Sequence, residues 1–116
     1  MSDQLNKLRD AVRAFATERD WDQFHSPKNL AMALSVEAAE LLEHFQWLKE
    51  EESKQLSLAK LAEVKAEMAD VFIYLVRLAD KLNVDLLSAA NEKIVENATK
   101  YPVEKSKGSN RKYTDL

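Results

Sequence analysis

Apolar residues recur at helical spacing through most of the chain and divide it into four long segments. In the first segment, one face carries apolar residues spaced by about 3.6 positions, namely Leu5, Leu8, Val12, Phe15 and Ala16. Ser26 followed by Pro27 is typical of a helix start, because serine caps free backbone N–H groups and proline has none to leave unpaired. The pattern predicts helices over about residues 3–18, 27–50, 58–82 and 85–101.

The stretches between and after these segments lose the helical period. Residues 20–25 and 51–55 are predicted to be connections. Pro102 disfavours helix at the residue before it, so the fourth helix should end near Tyr101. Residues 104–116 are polar and unpatterned, which predicts a flexible tail behind a single domain over residues 1–103.

The third predicted helix is apolar around most of its circumference. Between Met68 and Ala79, every residue is apolar or aromatic except Asp70 and Arg77. Such a helix must be covered on more than one side, which four short helices of one chain do poorly. The sequence therefore predicts an all-α, four-helix unit that assembles into a homo-oligomeric helical bundle. The alternative is a monomer in which the first helix and the tail wrap the third.

Composition removes several classes of function. With 1 Gly and no Cys in 116 residues, glycine-rich nucleotide loops, thiolate zinc sites and disulfide frameworks are excluded. A net charge of −3 argues against binding to duplex nucleic acid. The sequence has neither a long apolar run nor a signal-peptide pattern at its start, so we expect no membrane partner and a cytoplasmic location.

Two pairs of carboxylates stand where a buried helix face would carry apolar residues. Glu37 interrupts the apolar stripe of the second helix, and Glu40 follows three positions later on the same flank. Glu67 and Asp70 repeat this spacing on the third helix. Two ionised carboxylates about 5 Å apart repel by roughly 3 kcal/mol at an effective dielectric near 20. Four of them gathered inside a bundle therefore indicate a bound cation.

The donor set indicates which cation it is. Oxygen ligands without Cys or His suit Mg²⁺, with Mn²⁺ as a substitute, rather than zinc. A di-iron bundle would need Glu-x-x-His on two helices, and the third helix has no His. The alternative interpretation is that both pairs are ordinary solvated surface charges.

The spacing of these acids also resembles a family signature. Glu37-Ala-Ala-Glu40 followed by Glu67-Met-Ala-Asp70 resembles the E-x-x-E…E-x-x-D pattern of the MazG-like nucleotide pyrophosphohydrolases, all-α enzymes of the NTP pyrophosphohydrolase superfamily. The stretch from Phe24 to Trp47, FHSPKNLAMALSVEAAELLEHFQW, is similar to their small dCTP pyrophosphatase branch. The resemblance implies Mg²⁺-dependent hydrolysis of dCTP-like nucleotides to monophosphate and pyrophosphate, as nucleotide-pool house-cleaning by dimers or tetramers.

Carried over by position, the resemblance also implies roles for individual residues. The magnesium ligands would be Glu37, Glu40, Glu67 and Asp70, with either glutamate of the first pair as general base. Substrate contacts would come from residues before, on and after these helices, namely His25, Trp47, Tyr74, Lys93 and Asn97. Each has a structural alternative, such as a core aromatic or a lysine with a buried stem.

Two other functions stay open at this point. One is a catalytically silent helical interaction module that keeps the fold. The other is a related all-α pyrophosphohydrolase acting on dUTP or phosphoribosyl-ATP.

Overall fold

The computed structural model describes residues 3–116, in which all regular elements are helices and no strand occurs. In chain order, the helices are α1 (Asp3–Glu18), α2 (Pro27–Glu43), α3 (Glu50–Ser53), α4 (Leu58–Lys81), α5 (Leu86–Lys100) and α6 (Val103–Ser106). Short 3-10 turns lie at Asp22–Phe24 and Tyr113–Asp115. The all-α prediction is confirmed, and its four long helices are α1, α2, α4 and α5. Residues 1 and 2 of the predicted domain lie outside the described residues.

Side-chain caps fix the starts of three long helices. Ser26, Ser57 and Asp85 each accept a hydrogen bond, at 3.1 Å, from the backbone N–H three residues ahead. Each bond satisfies one of the free N–H groups in the first helical turn. The helices begin where the sequence predicts because these caps are local interactions.

The predicted end of the second helix, at residue 50, is wrong. Helix α2 ends at Glu43, and the N–H groups of Phe45 and Gln46 both donate to the carbonyl oxygen of Leu42 at 2.9 Å. Such competing bonds tighten and terminate the last turn of a helix. Residues 44–47 then form turns.

A short helix, α3, occupies most of the stretch over 51–55 that the sequence predicts to be a connection. The backbone N–H of Lys49 donates to Oε1 of Glu52 at 2.9 Å, and this side-chain contact closes the first turn of a new helix. The segment between α2 and α4 therefore contains two separate structured parts, the turns over 44–47 and the short helix α3. The loss of the apolar period in the sequence does not predict either of them.

The polar tail contains local structure. Helix α6 and the last 3-10 turn lie within it, and the ring of Tyr113 packs edge-on against Tyr101 with centroids 5.9 Å apart. The ammonium of Lys100 lies 4.9 Å from the centre of the Tyr113 ring. The flexibility of this segment and the domain boundary before it stay predictions.

The core of the chain is thin and lies between α2 and α4. These two helices make the main contact, α1 packs on α4 less extensively, and α5 contacts the rest only sparsely. The buried apolar residues are few, namely Ala16, Leu30, Val64, Val76 and Ala79. Among the described residues, no helix combines the length and the apolar character that a bilayer span requires.

Candidate active site

Three of the four predicted carboxylates converge where α2 packs on α4. Glu37, Glu67 and Asp70 each offer one oxygen, and these oxygens lie within 4.8 Å of one another. The two glutamates are half-buried and Asp70 is exposed. Glu40 is not one of this close group, although it is half-buried one turn after Glu37. We call the close group of three, together with Glu40, the carboxylate site.

Burial and mutual repulsion change the titration of the carboxylate site. Burial, followed by the neighbouring Glu40 carboxylate, raises the pKa of Glu37 to about 7. The pKa of Glu67 is raised as well, first by burial and then by the charge of Glu40. The charge of Glu40 therefore adds to burial in disfavouring ionisation of Glu37 and Glu67. The site resists holding its full negative charge when no cation is bound.

Two oxygens of the carboxylate site have no hydrogen-bond donor. Glu37 Oε2 and Glu67 Oε2 are buried and make no hydrogen bond within residues 3–116. Buried polar atoms are nearly always paired, and an unpaired one costs free energy. Two such oxygens from different helices, in an all-oxygen set, are the ligands that a hard divalent cation requires. The residues present therefore fit Mg²⁺.

An apolar cavity of about 360 Å³ opens beside the carboxylate site. Asp70 belongs both to that site and to the cavity wall, so the two are continuous. Most of the remaining wall is apolar or aromatic, supplied by Ala11, Val12, Phe15, Ala16, Trp21, Ile73 and Tyr74, and His25 and Arg77 complete it. A cavity of this size and character accommodates a small ligand with an aromatic part.

The end of α1 determines where Trp21 lies. Asp20 adopts a left-handed backbone conformation with φ of 55°, and the N–H of Trp21 donates to the carbonyl oxygen of Ala16 at 2.9 Å. This is the Schellman arrangement, in which the residue after the left-handed one packs back on the helix. The Trp21 ring accordingly meets Phe15 edge-on, with centroids 5.7 Å apart. The helix end thus places an indole in the cavity wall.

Arg77 anchors the polar side of the cavity. Its guanidinium donates to Nδ1 of His25 at 3.1 Å, to Oδ1 of Asp22 at 2.6 Å and to Oδ2 of Asp80 at 3.2 Å. Burial and the charges of Arg77 and Lys81 lower the pKa of His25. The imidazole in the cavity wall is therefore neutral at physiological pH.

The structure brings together some of the predicted substrate contacts. His25 and Tyr74 line the cavity beside Asp70. Trp47 follows α2 in the turn region, is 87% exposed and is not part of the cavity wall. Lys93 and Asn97 are exposed on α5, and the Lys93 ammonium pairs with Glu96 at 3.2 Å. Within one chain, these last three are not part of the cavity beside the carboxylates.

Seven of the ten residues of the cavity wall are absent from the sequence-based set of site residues, and three of these seven are aromatic or charged, namely Phe15, Trp21 and Arg77. Phe15 is indistinguishable from its neighbours on the apolar stripe of α1. Trp21 lies in a stretch without period, although an aromatic in such a connection is a usable signal. Arg77 is one of the two polar residues in the apolar run of α4, and that interruption indicates a side chain with specific partners.

Comparisons with known proteins show which proteins this chain is similar to. The MazG-like family model matches residues 32–116. dCTP pyrophosphatase 1 from Bos taurus is 46% identical over 114 residues, which cover 97% of this chain and 68% of that protein. For dCTP pyrophosphatase 1 from Homo sapiens, the identity is 43% and the coverages are 97% and 67%. The crystal structure of a pyrophosphatase from Archaeoglobus fulgidus superposes with a TM-score of 0.82 at 39% identity, covering 88% of this chain and 95% of that one.

These matches confirm the expectation that rests on the E-x-x-E…E-x-x-D spacing. The family model covers most of the chain, including all four carboxylates. The relatives and the solved structure are named as pyrophosphatases, which supports the expected enzyme class of nucleoside triphosphate pyrophosphohydrolases. The chain belongs to the MazG-like family.

Proposed function

We propose that this chain is a Mg²⁺-dependent nucleoside triphosphate pyrophosphohydrolase that converts dCTP-like deoxynucleotides to the monophosphate and pyrophosphate. The observation that carries the proposal is the carboxylate site beside an apolar cavity, in which two buried oxygens have no hydrogen-bond partner within residues 3–116. The relatives named dCTP pyrophosphatase 1 support the choice of base and sugar. Such an activity fits house-cleaning of the nucleotide pool, in the cytoplasm.

The four carboxylates would hold the metal. Glu37 and Glu40 reach the site from α2, and Glu67 and Asp70 reach it from α4. When bound, Mg²⁺, or Mn²⁺ in its place, neutralises the charge of the triphosphate oxygens. The protein's own part is to present these oxygens from two packed helices, so that little rearrangement is needed on binding.

The reaction breaks one phosphoanhydride bond. A water oxygen bonds to the α-phosphorus, the bond from that phosphorus to the bridging oxygen breaks, and pyrophosphate leaves with the electron pair. The proton lost by the water passes to a carboxylate of the first pair, Glu37 or Glu40.

The cavity would receive the nucleoside part. Trp21 and Tyr74 offer aromatic faces to a base, and one base–aromatic stack contributes about 1–3 kcal/mol. Because Asp70 joins the cavity wall to the carboxylate site, a base bound there has its phosphates near the metal ligands. Trp47, Lys93 and Asn97 remain proposed contacts, and their exposure leaves them free to meet a nucleotide in the proposed homo-oligomer, a dimer or tetramer.

A substrate panel tests the reaction and the preference. The protein is incubated with Mg²⁺ and, separately, dCTP, dTTP, dUTP, dATP, dGTP or phosphoribosyl-ATP, and the products are separated by anion exchange. We expect monophosphate and intact pyrophosphate in equal amounts, formed fastest from dCTP. Preference for dUTP or phosphoribosyl-ATP would contradict the proposed substrate. Release of orthophosphate, or no turnover with Mg²⁺, would contradict the reaction itself.

Metal-dependent stability separates an enzyme from a silent helical module. Mg²⁺ at 100 times its Kd should stabilise the folded chain by about 2.7 kcal/mol, because it binds the native state and not the unfolded one. The measurement is thermal unfolding with and without Mg²⁺, with NaCl at equal ionic strength as a control. If Mg²⁺ raises the midpoint no more than NaCl does, the carboxylates do not form a magnesium site.

A further inference from the structure

We propose that Arg77 is a positioning residue that holds His25 in the Nε2–H tautomer, so that His25 donates a hydrogen bond to an acceptor atom of the base in the cavity. The identity of the acceptor rests on the function proposed above. The tautomer rests on the contacts of Arg77 alone. The two parts can therefore fail separately.

Arg77 is held on three sides before any ligand binds. Its side chain is only 4% exposed. Nη2 lies 2.6 Å from Oδ1 of Asp22 and Nη1 lies 3.2 Å from Oδ2 of Asp80, which leaves Nε to meet Nδ1 of His25 at 3.1 Å. A planar guanidinium fixed by two carboxylates has little freedom to turn away from the imidazole.

The chemistry of the Arg77–His25 contact determines where the imidazole proton lies. Arginine has five N–H donors and no acceptor, so the nitrogen facing it must offer a lone pair. Nδ1 of His25 is therefore unprotonated, and the proton of the neutral ring is on Nε2. The charges around the ring act in the same sense, since Arg77 and Lys81 oppose a positive imidazole and the smaller effect of Asp22 does not cancel them.

The remaining nitrogen of His25 is available to a ligand. His25 lines the cavity, and Nε2 makes no hydrogen bond with any group in residues 3–116. The wall around it is mainly apolar, so a donor there has few competitors. A cavity that accepts a base beside the carboxylate site would therefore select bases that present a carbonyl oxygen or an unprotonated ring nitrogen to this N–H.

The position of Arg77 on α4 couples this recognition to the metal site. Asp70 and Arg77 lie two helical turns apart on the same helix, and both line the cavity. Helix α4 therefore fixes the distance between Asp70, a candidate metal ligand, and Arg77, which positions the imidazole that would donate a hydrogen bond to the base. Uniform binding of this kind should act on KM rather than on kcat.

The first test reads the tautomer in the native chain. The protein has 2 His, so ¹⁵N-histidine labelling gives two imidazole spin systems, and a His44→Gln variant assigns them. Long-range ¹⁵N–¹H correlation at neutral pH should show Nδ1 of His25 unprotonated and Nε2 protonated. A protonated Nδ1, or fast exchange between both tautomers, overturns the proposal. This result stands whether or not the chain hydrolyses dCTP.

The second test follows the effect of the contact on substrate binding. Arg77→Met removes the donor, and we expect KM for dCTP to rise about tenfold while kcat changes less than about twofold, as for loss of one directed hydrogen bond. Arg77→Lys, which keeps one donor, should recover part of this. Lys54→Met is the control, because it removes a surface cation that pairs with Glu51 on α3 and is not part of the cavity wall. Its KM should match that of the unchanged protein.

A double substitution separates positioning from general loss of structure. If Arg77 acts through His25, then Arg77→Met should have little further effect on KM in a His25→Phe background. An equal effect in both backgrounds, or an unchanged KM in the single variant, overturns the positioning role. If Arg77→Met fails to fold, the His25 tautomer measured by NMR in the unchanged protein still tests the proposal.

Discussion

At the scale of single residues, Glu37 concentrates the conflict between folding and function. Its carboxylate interrupts the apolar stripe of α2 and is half-buried, and its Oε2 has no hydrogen-bond partner among the described residues. Packing alone would place leucine or alanine there. In the absence of a bound cation, Glu37 destabilises the folded chain, because its charge is partly buried and lies beside other carboxylates. A residue that lowers stability in this way is typical of a functional site, here one that binds a cation.

Removing the charge of Glu37 should separate stability from turnover. We expect Glu37→Gln to lower kcat for pyrophosphate release by about 10²- to 10⁴-fold, as for loss of a general base or metal ligand. The metal-free variant should be at least as stable as the unchanged protein, because repulsion within the carboxylate site falls. Glu43→Gln, on the exposed side of α2, is the control and should keep its activity. Unfolding of Glu37→Gln would instead assign the carboxylate a structural role.

The raised pKa of Glu37 also predicts how stability depends on pH. In the folded chain this pKa is about 7, above the ordinary value of 4.5, so the native state binds more protons than the unfolded state between these values. The free energy of unfolding of the cation-free protein should therefore carry a contribution that falls as pH rises from about 4.5 to 7.

Urea unfolding in EDTA across this pH range measures that contribution. The difference between the unchanged protein and Glu37→Gln isolates it from other titrating groups, such as His25, whose lowered pKa acts in the opposite sense. Parallel pH profiles for the two proteins would show that Glu37 titrates normally.

Among the helices, the starts of α2 and α4 follow from local chemistry, whereas the end of α2 does not. Ser26 and Ser57 cap α2 and α4 where the sequence predicts. Helix α2 ends at Glu43 because the N–H groups of the following residues donate to the same carbonyl oxygen, that of Leu42. The sequence does not predict this end, since good helix formers continue past Glu43. A sequence pattern indicates only the helix propensity of these residues. Here the hydrogen bonds of the turn after Glu43 and the cap of α3 contribute more than that propensity does.

The cap of α4 offers a test at this scale. Ser57→Ala removes the side-chain acceptor for the N–H of Lys60 and should lower the free energy of unfolding by about 1 kcal/mol. Ser35→Ala is the matched control, since Ser35 lies inside α2 with its hydroxyl donating to a backbone carbonyl. That change should be neutral or slightly stabilising, because alanine is the better helix former. Equal losses in both variants would contradict a capping role, and chemical denaturation gives the comparison.

At the scale of the whole molecule, the single chain is too open for its size. Its radius of gyration is 17.6 Å, whereas a compact domain of this length has about 13 Å. Its accessible surface is 8956 Å², against about 6,500 Å² for a compact protein of this mass. Helix α5 has no buried residue and exposes Ile94 and Val95. These quantities support the prediction of a homo-oligomer.

Sedimentation velocity tests that prediction. We expect the native chain to sediment as a dimer or tetramer at micromolar concentration. Ile94→Glu should weaken the assembly, since it places a charge in an apolar patch that is 66% exposed in the single chain. Thr99→Glu adds the same charge to an exposed polar position of α5 and serves as the control. If the protein sediments as a monomer at all concentrations, the prediction of a homo-oligomer is wrong.

The helical class, the helix starts and the two acid pairs can be predicted from the sequence, because these features depend on residues within a few turns of one another. The packing of distant segments is needed to show that Trp21 rather than Trp47 lines the cavity, and that Arg77 contacts His25 across 52 positions. Periodicity tells which face of a helix is apolar, but not which distant segment covers it. That choice is made by packing between helices, where partners far apart in the chain compete for the same surface.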